Sequence, residues 1–175
     1  MQLSVTDNIY IETPAISDAA GLYPLIAQDR ENLAKWLPWA ATTQSVIDEA
    51  GFIRDCLQRI ENQQLWLGVI WVDHHPAGMI DLHDFKDSHA AIGYWLGKDY
   101  RGQGVLAQSL AALEKFGFGR YRLHKISILA EPDNAASRAV AERANYHQDG
   151  TLREHIPHQD SFADAVVYSK LSDEA

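Results

Sequence analysis

Two glycines behind an arginine give this chain its clearest chemical signal. The run Tyr94-Trp95-Leu96-Gly97-Lys98-Asp99-Tyr100-Arg101-Gly102-Gln103-Gly104-Val105-Leu106 carries a strand-like pattern into a glycine-containing loop and then into a helix. Amide N–H groups in the first turn of a helix have no acceptor within it and point outward. The helix dipole adds partial positive charge at the same end. Together they suit a diphosphate. Gly102 and Gly104 let the backbone approach such an anion with no Cβ in the way, and Arg101 can add charge. A bare Gly-x-Gly is equally well explained as a tight strand-to-helix turn. The run is neither a Gly-Lys-Ser/Thr phosphate loop nor the three-glycine dinucleotide fingerprint.

Other reactive side chains invite weaker readings. His155-x-x-His158 has no Cys or carboxylate framework around it and is interrupted by Pro157, so no metal site is expected. Cys56 falls on the apolar side of a helical pattern beside Leu57, where packing is expected rather than nucleophilic chemistry.

The elements that must position the glycine loop are legible as periodicities. Ile9 to Thr13 reads as a strand ended by Pro14, with a helix start at Ser17 and Asp18. Leu22, Leu25 and Ile26 give that helix its apolar face, and Pro24 kinks it or marks a later start. Leu33 to Trp39 reads as a helix end or loop broken at Pro38. Ser45 to Asn62 predicts an amphipathic helix, with Ile53, Leu57 and Ile60 on one face. Strands follow at Leu65 to Val72, Ala77 to Phe85 and Ala90 to Leu96, the first two joined by the turn Asp73-His74-His75-Pro76. Beyond Gly104, the spacing of Leu106, Leu110, Leu113 and Phe116 predicts a helix. Lys125 to Ala130 is a strand, and Asn134 caps a helix ending near Asn145. His147 to His155 and Phe162 to Leu171 are the last strands. Short turns imply antiparallel early pairs, and helical connections imply parallel later ones. The expectation is a mixed sheet with packed helices, in one domain over residues 9–171.

Composition narrows the class. The chain has 175 residues, 46% of them hydrophobic and 22% charged, which suits one globular domain and not disorder. The longest apolar stretch, Leu65 to Val72, is too short for a membrane span. Residues 1–8 have no basic start or apolar core, and one cysteine cannot form an internal disulfide; a cytoplasmic address is expected. A net charge of −9 opposes nucleic-acid binding and suits a cationic partner.

Arg101-x-x-Gly104-x, preceded by Ile92-Gly93-Tyr94-Trp95-Leu96, resembles the acetyl-CoA signature of the GNAT superfamily of N-acetyltransferases. Trp36-Leu37-Pro38-Trp39, Asn134-Ala135-Ala136-Ser137 and Ala163-Asp164-Ala165-Val166-Val167-Tyr168 extend the likeness to the RimJ/RimL type, over about Ile9 to Leu171. The resemblance implies an α/β (α+β) fold: a mainly antiparallel sheet, a V-shaped splay between two parallel strands, and helices on both faces. It implies acetyl-CoA as co-substrate, with Trp95 and Leu96 along the pantetheine arm. Arg101, Gly102, Gln103, Gly104, Val105 and Leu106 would hold the diphosphate, and Asn134 would hydrogen-bond the arm. It also implies direct attack by an amine, an acceptor groove lined by Trp36 and Trp39, and a possible homodimer.

The chain departs from the pattern at instructive positions. The tyrosine that many members use to protonate the leaving thiolate is replaced by Ala141, and the resemblance points instead to Ser137. Ser137 could equally bond its own helix backbone. The carboxylates expected as general base are replaced by Ile156 and Ala91. Glu154, two residues from Ile156, would share its face if the strand continues; Asp81 and His83 are further polar candidates near the acceptor. About a quarter of a protein α-amine is neutral near pH 7.4, against about 0.1% of a lysine amine. A chain with a weak base therefore suits an N-terminal α-amine. A small cationic amine, such as a polyamine or aminoglycoside, and a coenzyme A-binding module without turnover remain alternatives.

Overall fold

The structure is a computed structural model that describes residues 1–175. Eight strands form one sheet: β1 Gln2–Ser4, β2 Ile9–Glu12, β3 Leu65–Val72, β4 His75–Lys86, β5 His89–Leu96, β6 Lys125–Ala130, β7 His147–Pro157 and β8 Phe162–Leu171. Their order is β1-β2-β3-β4-β5-β6-β8-β7. Six helices accompany them: α1 Ala19–Gln28, α2 Arg30–Ala34, α3 Trp39–Thr42, α4 Val46–Glu61, α5 Val105–Arg120 and α6 Ala135–Arg143. No helix is long and apolar enough to cross a membrane.

Every neighbouring pair is antiparallel except β5 and β6. Those two are joined through α5, the kind of crossover a parallel pair needs. They pair only at His89↔Lys125, Ala90↔Ile126 and Ala91↔Ser127, and then part. The V-shaped splay implied by the resemblance is thus present in the backbone.

Alternation along the strands divides the apolar residues between two faces. Leu67, Val69, Met79 and Trp95 belong to one core with Leu22 and Ile26 of α1 and Ile53 of α4. Ile80, Leu82, Ile92, Ile126 and Ile128 belong to the other with Leu110 and Leu113 of α5. Each such aliphatic side chain contributes roughly 1.5–3 kcal/mol on burial. One buried ion pair, Lys170 Nζ to Glu114 Oε2 at 2.8 Å, ties β8 to α5.

Most boundaries follow the periodicities, and the departures have local causes. The sheet begins before Ile9, because Gln2–Ser4 pairs with β2 although it is too short and polar to show a pattern. Ser17 and Asp18 lie in a 3-10 turn, and the α-helix starts at Ala19 and runs through Pro24. Pro38 caps α3 and does not end a helix. The β3–β4 turn is only Asp73-His74, both left-handed (φ 49 and 63), as a tight two-residue hairpin requires. Pro76 therefore lies inside β4, opposite Trp71, where a register shift removes the need for its missing N–H.

Helix α4 shows how its start is fixed. Ser45 Oγ accepts from the Asp48 N–H at 3.1 Å, and the Asp48 carboxylate accepts from the Gln44 N–H. The next residue, Glu49, is only 2% exposed, and burial pushes its carboxyl from 4.5 up to about 7. Between those values the folded chain keeps a proton that the unfolded chain has released. Stability therefore falls as pH rises through that window, by on the order of 3 kcal/mol. Glu49→Gln should raise the melting temperature by several degrees at pH 8 and change it little at pH 4. Thermal melts across pH will measure this.

Candidate active site

Where β5 and β6 part they leave a cleft of about 780 Å³, lined by 27 residues of which 18 are hydrophobic. Ile92–Leu96 form one wall and Ile128–Ala130 the other. Tyr100, the glycine loop and the start of α5 close one end, α6 lies along the far side, and Leu33, Trp36 and Leu37 border the opening. Beyond Ala91, β5 has no strand partner on this side, so its backbone can pair with an extended ligand.

The glycine loop has the conformation its sequence requires. Gly102 and Gly104 are left-handed, with φ of 73 and 77. A Cβ on Gly102 would have no neighbour within 4 Å, so open space stands over the loop. Gly104 is the N-cap of α5, and no side chain caps that end. The first helical bond runs from the Gln108 N–H to the Gly104 carbonyl at 3.1 Å. The amides of Val105, Leu106 and Ala107 have no carbonyl four residues back within the helix. Free donors, a dipole end and an uncapped glycine fit a diphosphate, and the adjoining strand edge fits an amide-bearing arm. The residues present therefore fit a coenzyme A thioester.

Arg101 does a different job from the one expected. Its Nε and Nη2 donate to the Leu96 carbonyl at 3.1 and 2.7 Å, and Nη2 also meets Asp29 Oδ2 at 2.6 Å. It borders the cleft, but its main work is to bind the end of β5 to the α1–α2 junction. Gln103 turns to the Asp99 carbonyl and is not part of the cleft wall.

At the α6 side, Asn134 Oδ1 accepts from the Ser137 N–H at 3.2 Å, which starts the helix and leaves the Asn134 amide donors over for the cleft. Ser137 Oγ is 2.8 Å from the Tyr94 hydroxyl, either group able to donate, and the same Tyr94 O–H has the Ser137 carbonyl at 3.3 Å as its alternative acceptor. Tyr94 and Trp95 point to opposite faces of β5, so Tyr94 reaches α6 while Trp95 packs with Trp39, ring centres 5.9 Å apart. Burial pushes the Tyr94 phenol above its ordinary value, against the opposing pull of Ser137 and of Arg143, another cleft residue. Tyr94 and Arg143 escaped the sequence reading. The 2.8 Å contact joins residues 43 apart and leaves no local signature.

Besides Gln103, three expected site residues lie elsewhere. Glu154 is exposed and is not a cleft residue, whereas Ile156 is. The register of β7 shifts between Leu152 and Ile156, and Glu154 itself is left-handed (φ 49), so the alternation that would have put it on the Ile156 face is broken. His83 does not line the cleft; its Nδ1 lies 2.6 Å from Asp81 Oδ1 on β4. Trp36 borders the opening, but Trp39 is a packing residue between Trp95 and Phe52. Cys56 is buried, and burial pushes its thiol up to about 11.

The fold and cleft define a class: an acyl-transfer domain built around a split sheet and a helix-end diphosphate site. The family described as "Acetyltransferase (GNAT) domain" matches residues 8–147. YdaF of Bacillus subtilis (strain 168), provisionally named a ribosomal N-acetyltransferase, is 30% identical, with 97% of this chain and 94% of YdaF covered. The ribosomal-protein-serine acetyltransferase of Escherichia coli (strain K12) is 24% identical over 98% and 97%. The microcin C7 self-immunity acetyltransferase MccE, solved with acetyl-CoA and AMP, superposes with a TM-score of 0.89 at 28% identity, over 95% of this chain and 94% of that one. RimL, a ribosomal L7/L12 α-N-protein acetyltransferase solved with coenzyme A, has a TM-score of 0.93 over the full length of both chains; at 22% identity this speaks to fold alone. The chain belongs to the GNAT acetyltransferase family. It is an acyltransferase, and acetyl-CoA is its acetyl donor.

Gly104→Ala forces a left-handed cap on a residue with a Cβ and sets that Cβ 3.4 Å from Gln108 Nε2. It should weaken acetyl-CoA binding at least about tenfold, or about 1.4 kcal/mol, by calorimetry, with an unchanged far-ultraviolet dichroism spectrum.

Proposed function

We propose that this acetyltransferase modifies the α-amine at the N-terminus of a protein, of the ribosomal-protein type. The character of the cleft carries the reading. Among its 27 lining residues Glu131 is the one carboxylate, whereas a polyamine or aminoglycoside site would need several to offset the desolvation of several charges. An α-amine brings one charge and is partly neutral near pH 7. The names of relatives covered over nearly their whole length agree. The −9 net charge supports the small-cation reading, but that charge belongs to the whole surface.

Acetyl-CoA supplies the activated acyl group when bound; the remaining tasks fall to the chain. The amides at the start of α5 hold the diphosphate, and the unpaired edge of β5 orients the arm. A free amide on that edge stabilises negative charge developing on the thioester oxygen. Ser137 gives its hydroxyl proton to the departing sulfur. With its single O–H turned to Ser137 Oγ, at 2.8 Å, and not to the Ser137 carbonyl, Tyr94 leaves the serine's own O–H free to point into the cleft. The amine attacks directly, without an acyl-enzyme.

Ser137→Ala should lower kcat about 100-fold and change the acetyl-CoA Kd less than threefold; unchanged turnover would remove Ser137 from the mechanism. Tyr94→Phe should lower kcat about tenfold with the same Kd. Free-thiol release across serine-initiated peptides, polyamines and aminoglycosides tests the acceptor, and a preference for polyamines over peptides would refute this reading.

A further inference from the structure

The attacking amine must lose a proton, and the two positions where the resemblance implies a carboxylate carry apolar residues, Ile156 and Ala91. The cleft nevertheless contains one carboxylate, Glu131, the residue that follows β6. Along β6 the side chains alternate, with Ile126, Ile128 and Ala130 buried. Glu131 continues the other set, with Ser127 and Leu129, beyond the point where β5 and β6 part. Its side chain is 14% exposed, and its Oε1 lies 2.7 Å from Nε2 of His158. The backbone N–H of His158 donates to the Ser161 carbonyl at 2.8 Å, which closes the β7–β8 hairpin and fixes where His158 leaves the main chain.

We propose that Glu131 is the general base of the reaction and that His158 positions it. This rests on the reading that the acceptor is an amine. The amine nitrogen forms a bond to the acyl carbon and gives one proton to the Glu131 carboxylate. The carbon–sulfur bond breaks, and the sulfur takes the Ser137 proton. Exchange with solvent removes the proton from Glu131 and restores the one on Ser137, leaving an amide and a thiol. Acid and base then come from the two ends of one short connection, β6 to α6, which Asn134 caps. The imidazole bonded to one carboxylate oxygen leaves the other free to face the amine. This arrangement also gives a use to His158, for which the sequence pattern suggested neither a metal site nor any other role.

The test is steady-state thiol release with whichever amine the wild-type enzyme acetylates, run beside acetyl-CoA calorimetry and thermal melts. Glu131→Gln should lower kcat about 100-fold or more while the acetyl-CoA Kd stays within threefold. Glu131→Ala should recover part of its lost rate when formate is added, a response that a purely structural carboxylate would not give. His158→Ala should lower kcat about fivefold to tenfold, and His158→Gln, which keeps an N–H donor, should restore most of it. Asp81→Asn, outside the cleft, should keep near-normal turnover. If Glu131→Gln melts early, Glu131→Asp decides: a shortened but folded base should still lose about tenfold. Full turnover by Glu131→Gln or Glu131→Asp, or a loss confined to Asp81→Asn, would overturn the assignment. A wild-type enzyme that acetylates no amine would instead sink the acceptor reading beneath it.

Discussion

The parting of β5 from β6 after three paired residues is the constraint on which this molecule depends. A strand edge inside a protein leaves amides and carbonyls that must find partners, since an unmet buried group costs about 1–3 kcal/mol. Ordinary sheets avoid this by pairing. Here the strands are drawn apart from both sides. β6 pairs along its whole length with β8, and the end of β5 is fastened to the α1–α2 junction through Arg101, Asp29 and the Leu96 carbonyl. The gap thus offers an unpaired strand edge to one more extended, amide-bearing chain.

That arrangement changes how the signature loop is understood. Arg101 reads in sequence as a phosphate ligand, yet most of its donors are engaged by the protein. Its contribution to binding is largely mechanical, because it sets where β5 ends and hence where the Gly102–Gly104 turn begins. The proposed diphosphate recognition then falls to main-chain donors at α5, which need no side chain and would tolerate a bulky residue such as Leu106. A lysine at position 101 could not reproduce the forked contact with a carbonyl and a carboxylate together.

The sheet was legible where an apolar run or a two-residue alternation is bounded by polar turns, as in β3, buried on both faces, and β6, buried at every second residue. β3, β6 and β8 match their predicted limits to the residue, and α4 differs only by its capping residues. The diphosphate loop was legible for a related reason, since left-handed glycines and a helix start are local facts. Ser137 was named from the resemblance, but its partner Tyr94 and the Glu131–His158 pair were not legible. Tyr94 reaches Ser137 across 43 residues, and Glu131 reaches His158 across 27. Glu154 was misplaced because a left-handed residue in β7 breaks the two-residue period on which the inference relied. Long-range pairing and bulges are set by tertiary packing, and no window of sequence contains them.

The charge distribution then has a consistent logic. The chain as a whole carries −9, which repels a diphosphate at long range. At about 0.15 M salt such repulsion fades beyond about 8 Å, so it affects encounter more than the bound state. Within the cleft the signs are separated. Arg101, Arg143 and the uncapped start of α5 border the cleft, and its one carboxylate, Glu131, follows the end of β6. One anion and one cation can thus enter the same apolar groove, each meeting opposite charge. A second carboxylate beside Glu131 would attract polycations but would also raise the cost of burying either charge, so one carboxylate suits an acceptor that brings a single amine.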